Sequence, residues 1–180
     1  MKAIPLKIPD VKIIEIDLFE DERGFFFESF NQKKFNNAIG QEINFVQDSH
    51  SKSKKGVLRG LHYQIEPFVQ AKLLRVISGE IFDVVVDIRK DSPTFGKWVS
   101  ENLSAKNKKQ LWIPEGFAHG FLVLSEVAEI VYKTSKTYSK LHEKTIKYSD
   151  KKLNIKWPRL TEYFLSDKDH NANIFSRSDF

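Results

Sequence analysis

The run Gly56-Val57-Leu58-Arg59-Gly60-Leu61-His62-Tyr63-Gln64 sets a guanidinium and an imidazole three positions apart, in an apolar stretch that carries two glycines. An extended strand alternates its side chains between faces, which puts Leu58, Gly60 and His62 on one side and Arg59, Leu61 and Tyr63 on the other. Gly60, without a Cβ, can bend or bulge such a strand. A bend there would let Arg59 and His62 converge on one cavity. Imidazole is the side chain best suited to moving a proton near neutral pH. Taken alone, a strand histidine is more often a hydrogen-bonded packing residue.

Polar groups recur where strands should be buried. Arg23 and Glu28 flank Phe25-Phe26-Phe27, Gln47-Asp48-Ser49-His50 closes another strand, and Lys72 and Arg75 share a third. His119 follows Pro114-Glu115-Gly116-Phe117-Ala118, and Tyr132 lies inside Glu129-Ile130-Val131-Tyr132-Lys133. Each could be an ordinary outward-facing residue. Collectively they suggest a solvated pocket, because a charge on an inward face must be paired or hydrated. The histidines lack metal-ligand spacing: His62-Tyr63-Gln64 offers one imidazole where a His-x-His pair would offer two, and His50, His119, His142 and His170 are scattered. There is no Gly-x-Ser-x-Gly elbow, P-loop or Gly-rich dinucleotide motif. What remains is proton transfer by His, Tyr, Asp and Lys.

The elements that must position these groups are mostly strands. Residues 11–18 alternate apolar and polar side chains, 24–30 form an aromatic run, and 43–46 and 57–63 follow. Residues 71–77 and 81–88 are rich in β-branched types and meet at Ser78-Gly79, which predicts a hairpin. Further strands are expected over 98–103, 110–113, 120–124 and 129–137. One short helix is expected over 30–38, stopped by Gly40, and turns are expected after Lys151. Many short strands at regular spacing predict a sandwich or barrel. Val84-Val85-Val86 is apolar on both faces, so one face would line the barrel and the other pack on a second sheet or subunit, which makes a homodimer the expectation.

The chain has 180 residues, 41% of them hydrophobic, with 15 Phe and no Cys, which fits one well-packed domain over residues 1–180 without disulfides or thiolate metal sites. No apolar run approaches a membrane span and the N-terminus has no apolar leader core, so a cytoplasmic protein is expected. The net charge of +5 is mild and its lysines are spread, with small clusters at expected turns. No nucleic-acid-binding motif accompanies them.

Arg23-Gly24-Phe25-Phe26-Phe27-Glu28, the run from Gly56 to Gln64, Asp91-Ser92-Pro93-Thr94-Phe95-Gly96-Lys97-Trp98 and the stretch 112–124 together resemble the dTDP-4-dehydrorhamnose 3,5-epimerase family. So do Tyr132-Lys133-Thr134, Trp157-Pro158 and Leu165-Ser166-Asp167-Lys168-Asp169. The resemblance implies an all-β, cupin-type jelly roll (a double-stranded β-helix) with a few short helices, a homodimer, and no metal or organic cofactor. It implies an isomerase acting on a dTDP-linked 4-keto-6-deoxyhexose, inverting C3 and C5 by removal of protons α to the ketone. By the same resemblance His62 is the base, Asp169 its orienting carboxylate, Tyr132 the acid and Lys72 the ammonium at the enolate oxygen, with His119 a further sugar contact. Arg59 and Arg23 match positions at the anionic nucleotide portion, Phe26, Glu28, Gln47 and Asp48 fall in the nucleotide-binding stretch, and Ser49 falls in the substrate pocket. Tyr138 matches the aromatic that stacks on thymine, Glu143 and Lys168 match further substrate contacts, and the partner chain supplies part of each pocket.

The chain departs from the family's usual pattern in three places. Ser49 stands where Asn is common, His170 where Arg is common, and residues 134–142 match loosely. These leave open a C3-only or C5-only epimerase, or an epimerase of another nucleotide-linked 4-keto sugar. Two other classes share such a scaffold, a non-catalytic sugar-nucleotide-binding cupin and a metal-dependent cupin.

Overall fold

The structure, a computed structural model, describes residues 1–177. Thirteen strands and two short helices follow one another in this order: β1 Lys2–Pro5, β2 Lys12–Glu15, β3 Phe19–Asp21, β4 Gly24–Phe26, α1 Gln32–Ile39, β5 Gln47–Lys54, β6 Leu58–Gln64, β7 Lys72–Ser78, β8 Glu80–Asp87, β9 Trp98–Ser104, β10 Gln110–Ile113, β11 Phe117–Val123, β12 Val127–Thr134, β13 Glu143–Thr145 and α2 Asp167–His170. A six-stranded sheet, β1-β2-β10-β7-β12-β5, faces a five-stranded sheet, β13-β6-β11-β8-β9, and β3-β4 form a separate hairpin. All the paired strands run antiparallel, and the two facing sheets make the expected jelly roll.

Apolar side chains of both sheets fill the space between them. Leu74, Leu111 and Ile130 from one wall meet Ile81, Val85 and Phe121 from the other. The alternation of Val84-Val85-Val86 divides as the strand pattern requires, with Val85 inward and Val84 and Val86 outward. The outward face is covered by the chain's own later residues, Ile146, Leu153 and Phe175. On the outside of the six-stranded sheet, α1 and the loops on either side of it pack Phe30, Phe35 and Phe45 around Trp112. Asn31 caps α1 through Lys34 N–H, and the helix ends at Gly40, as its sequence predicts.

Three expectations need correction. Ser78-Gly79 does not make a hairpin, because β7 and β8 lie in different sheets. Gly79 instead carries the chain across from one wall to the other with φ 77, and a Cβ there would sit 2.1 Å from the Val127 carbonyl oxygen. Residues 43–46 form no strand; the strand begins at Gln47 and runs through the polar segment Gln-Asp-Ser-His-Ser-Lys-Ser-Lys. The tail after Lys151 also contains a defined element, α2, capped by Ser166. No helix among the described residues is long and apolar enough to cross a membrane.

Candidate active site

The strand bend anticipated at Gly60 is a β-bulge. His119 pairs with His62 and Phe121 with Arg59, so three residue steps on β6 oppose two on β11. Gly60 adopts φ 129 against Gly120, where a Cβ would come 2.5 Å from the Gly120 Cα. Only a glycine fits this contact. The extra residue cancels the strand alternation, so Arg59 and His62 line one cavity while Leu61 and Tyr63 pack in the outer core.

That cavity lies between the sheets and has two adjoining lobes, of about 300 and 320 Å³. His62, Lys72, Tyr132, Tyr138 and Glu143 line both. Gln47, Ser49, Gln64 and Gln70 add to one lobe, and Ser51, Arg59, His119 and Lys168 to the other. His62 and His119 come from the five-stranded wall, Lys72 and Tyr132 from the opposite one. A ligand between them has a base-type group on one side and a phenol on the other.

The tail supplies the carboxylate for His62. Residue 164 bridges to Val57, with Phe164 N–H donating to the Gly56 carbonyl and Leu58 N–H to the Phe164 carbonyl. Asn173 bridges to Ile146, and Phe175 N–H donates to Asp150. Between these anchors α2 lays Asp169 against β6. His62 Nε2 lies 2.5 Å from Asp169 Oδ1, and Ser166 Oγ donates to Asp169 Oδ2 at 2.8 Å. Asp169 is 3% exposed at its side chain and His62 24%, so the imidazole reaches the cavity and its carboxylate partner does not. With Nε2–H donated to Asp169, Nδ1 is the nitrogen left to accept a proton.

Burial shifts these groups in useful directions. Desolvation pushes His62 below its ordinary value, and the hydrogen bond and charge of Asp169 only partly reverse this. The neutral form of the imidazole is thereby favoured. Desolvation raises Asp169, but the His62 contact, Ser166 and Lys168 together outweigh it and hold the carboxyl below its usual range. Burial brings Lys72 down to about 8, with Asp83 and Glu143 as the charges that keep its proton on.

A second pair sits beside the first. His119 Nε2 lies 2.9 and 3.1 Å from the two oxygens of Asp83, a residue with no solvent exposure on the neighbouring strand β8. Asp83 was not among the residues singled out from sequence, although an acid within Ile81-Phe82-Asp83-Val84 on an otherwise apolar strand is itself a signal. At the cavity mouth Tyr138 O–H donates to Glu143 at 3.0 Å, and Lys168 pairs with the other oxygen of Glu143 at 2.7 Å. Gln47 accepts from Tyr138 N–H, and Gln64 accepts from Ser139 N–H while donating to the Phe68 and Thr137 carbonyls. These two amides hold the loop that presents Tyr138.

Four anticipated residues are not brought into the cavity of the same chain. Asp48 points outward from β5 and pairs with Lys133 at 3.0 Å. Arg23, Phe26 and Glu28 lie on or just after the β3-β4 hairpin, where Arg23 pairs with Asp21, Glu28 with Lys34, and Phe26 is 71% exposed. The segment 91–98 serves structure instead: Asp87, at the end of β8, accepts from Arg89, Ser92 and Thr94 and is lowered to about 2 despite burial that opposes the shift. Among the described residues no three His, Asp or Glu side chains cluster as a metal ion would require.

Comparison with known proteins follows the same lines. The family model described as dTDP-4-dehydrorhamnose 3,5-epimerase matches residues 5–177. The dTDP-4-dehydrorhamnose 3,5-epimerase of Shigella flexneri is 63% identical over 180 residues, covering 100% of this chain and 99% of that protein. The Pseudomonas aeruginosa enzyme of the same name is 55% identical over 179 residues, covering 99% and 98%. The crystal structure of dTDP-6-deoxy-D-glucose-3,5-epimerase from Legionella pneumophila, in complex with dTDP-4-keto-L-rhamnose, superposes with a TM-score of 0.94 at 50% identity, covering 96% of this chain and 92% of that one.

Proposed function

The chain belongs to the dTDP-4-dehydrorhamnose 3,5-epimerase family, and from that premise we propose how its cavity inverts C3 and C5 of dTDP-4-dehydro-6-deoxy-D-glucose to give dTDP-4-dehydro-L-rhamnose. The observation that carries the mechanism is the placement of an Asp169-bonded His62 on one wall and Tyr132 on the other, with Lys72 lining both lobes. A hydrogen α to the keto group is weakly acidic. His62 takes it at Nδ1, and the imidazolium so formed faces the Asp169 carboxylate. The electron pair left on carbon moves onto the keto oxygen, where the Lys72 ammonium stabilises the enolate. Tyr132 returns a proton to the same carbon from the opposite wall, the ketone re-forms, and the configuration is inverted. His62 releases its proton to solvent and Tyr132 regains one. Repetition at the second α carbon completes the isomerisation.

Arg59 receives the diphosphate. Its Nε is held by Ser53 Oγ at 3.1 Å, which aims the terminal guanidinium nitrogens for an anion. Tyr138, Glu143 and Lys168 form the nucleotide end. Replacing Tyr132 by Phe separates the two halves of the mechanism. The variant should still wash deuterium from solvent into recovered substrate through His62, yet form at least a hundredfold less inverted product. Nuclear magnetic resonance of the sugar protons reads both, and undiminished product would remove Tyr132 from its role.

The working form is a homodimer in which the β3-β4 hairpin of one protomer completes the cavity of its partner. What supports this is the hairpin itself, which exposes Phe19, Phe25 and Phe26 at 64, 57 and 71% and carries Arg23 away from its own site. Such a patch is unfavourable in water and suits burial against another chain. Arg23→Ala should raise KM several-fold with kcat little changed. A monomer in sedimentation velocity that retains full dTDP affinity would contradict this assembly.

A further inference from the structure

The inward face of β5 is a row of small polar groups, Gln47, Ser49, Ser51 and Ser53, alternating with the outward Asp48, His50, Lys52 and Lys54. Two of the three hydroxyls are used within the protein. Ser49 Oγ accepts from Gln47 Nε2 at 3.0 Å, and Ser53 Oγ accepts from Arg59 Nε at 3.1 Å. Ser51 Oγ, between them, is buried without any hydrogen-bond partner, the one side-chain nitrogen or oxygen so placed among the described residues. Native structures rarely leave such a group unpaired, because the desolvation is not repaid. Ser51 lines the same lobe as Arg59, His62, Lys72 and His119.

We propose that Ser51 is a substrate-binding residue whose hydroxyl bonds an oxygen of the bound nucleotide sugar, on the side of the cavity shared by Arg59 and His119. This rests on the reading of the cavity as a sugar-nucleotide site. Ser51 has no base beside it and takes no part in proton transfer. Its contribution is affinity and register, holding the ligand so that its α carbons stand between His62 and Tyr132.

Ser51→Ala removes the hydroxyl and breaks no hydrogen bond within the protein, so its folding temperature should hold. KM should rise about tenfold with kcat changed much less. Calorimetry with dTDP and with dTDP-glucose locates the bond. Weakening of both ligands by the same factor assigns it to a phosphate oxygen, and weakening of dTDP-glucose alone assigns it to a sugar oxygen. Ser51→Thr, which keeps the hydroxyl, should lie near wild type and Ser51→Val, alike in shape, near alanine; this pair decides if the alanine variant does not fold. Unchanged KM and unchanged affinity for both ligands in Ser51→Ala would overturn the proposal. A wild-type protein that binds both ligands and does not epimerise would overturn the reading of the reaction instead, with the two calorimetric comparisons still deciding Ser51.

Discussion

His62–Asp169 and His119–Asp83 are two histidine–aspartate pairs on adjacent strands, directly opposite each other in register, and they do different things. Asp169 arrives from a tail segment 107 positions away in sequence and shares its charge between the imidazole and Ser166. Asp83 comes from the neighbouring strand, and both of its carboxylate oxygens face the one imidazole of His119. Desolvation therefore wins at Asp83 and raises its pKa, against the pull of His119 and Lys72, while the several donors around Asp169 win there and lower it. The same two residue types give one carboxylate that is reliably ionised and another whose proton is held more tightly. In the proposed mechanism the first prepares a base. The second sets the charge beside Lys72.

Substitutions can break this contrast. The largest effect should come from His62→Ala, a loss of about a thousandfold or more in kcat. His119→Ala should act mainly on KM, by about tenfold. Equal losses of kcat in the two would erase the distinction. Asp169→Asn should cost about a hundredfold in kcat/KM by disturbing the tautomer and the charge behind His62, whereas Asp83→Asn should cost under tenfold.

The pH profile of kcat/KM sharpens it further. The proposed mechanism needs neutral His62 and protonated Lys72, so the acid limb should lie below the ordinary histidine value and the alkaline limb near 8. The charge of Asp83 raises Lys72, so Asp83→Asn should move the alkaline limb to lower pH and leave the acid limb in place. The contact with Asp169 raises His62, so Asp169→Asn should move the acid limb to lower pH. The smallest effect expected is on the other limb of each variant, and movement of both limbs in either one would show that the pairs act as a single unit.

Part of this was legible in the residues alone. The strand at 81–88, the helix before Gly40 and the β-rich architecture followed from alternation and turn chemistry. The bulge at Gly60 was readable because a glycine between Arg59 and His62 is the means by which a strand brings such residues to one side. Strand β5 was not, since its eight residues contain no apolar side chain and its inward face lines a wet cavity where hydroxyls replace aliphatics. The supposed hairpin at Gly79 failed for a different reason: a short turn between two strands does not say whether they share a sheet. Asp169 as the partner of His62 came only through family resemblance, because nothing local connects residues so distant in sequence. Ser166 and Asp83 were missed, and each acts by tuning a neighbour's charge.

The central claim is that His62, and not its neighbour, removes the α protons. Wild type, His62→Ala and His119→Ala should each be incubated with dTDP-4-keto-6-deoxyglucose in deuterated water and followed by nuclear magnetic resonance. Label at C3 and C5 is predicted with wild type and with His119→Ala, and none above background with His62→Ala. Deuterium entering at the wild-type rate in the His62→Ala protein would contradict the account.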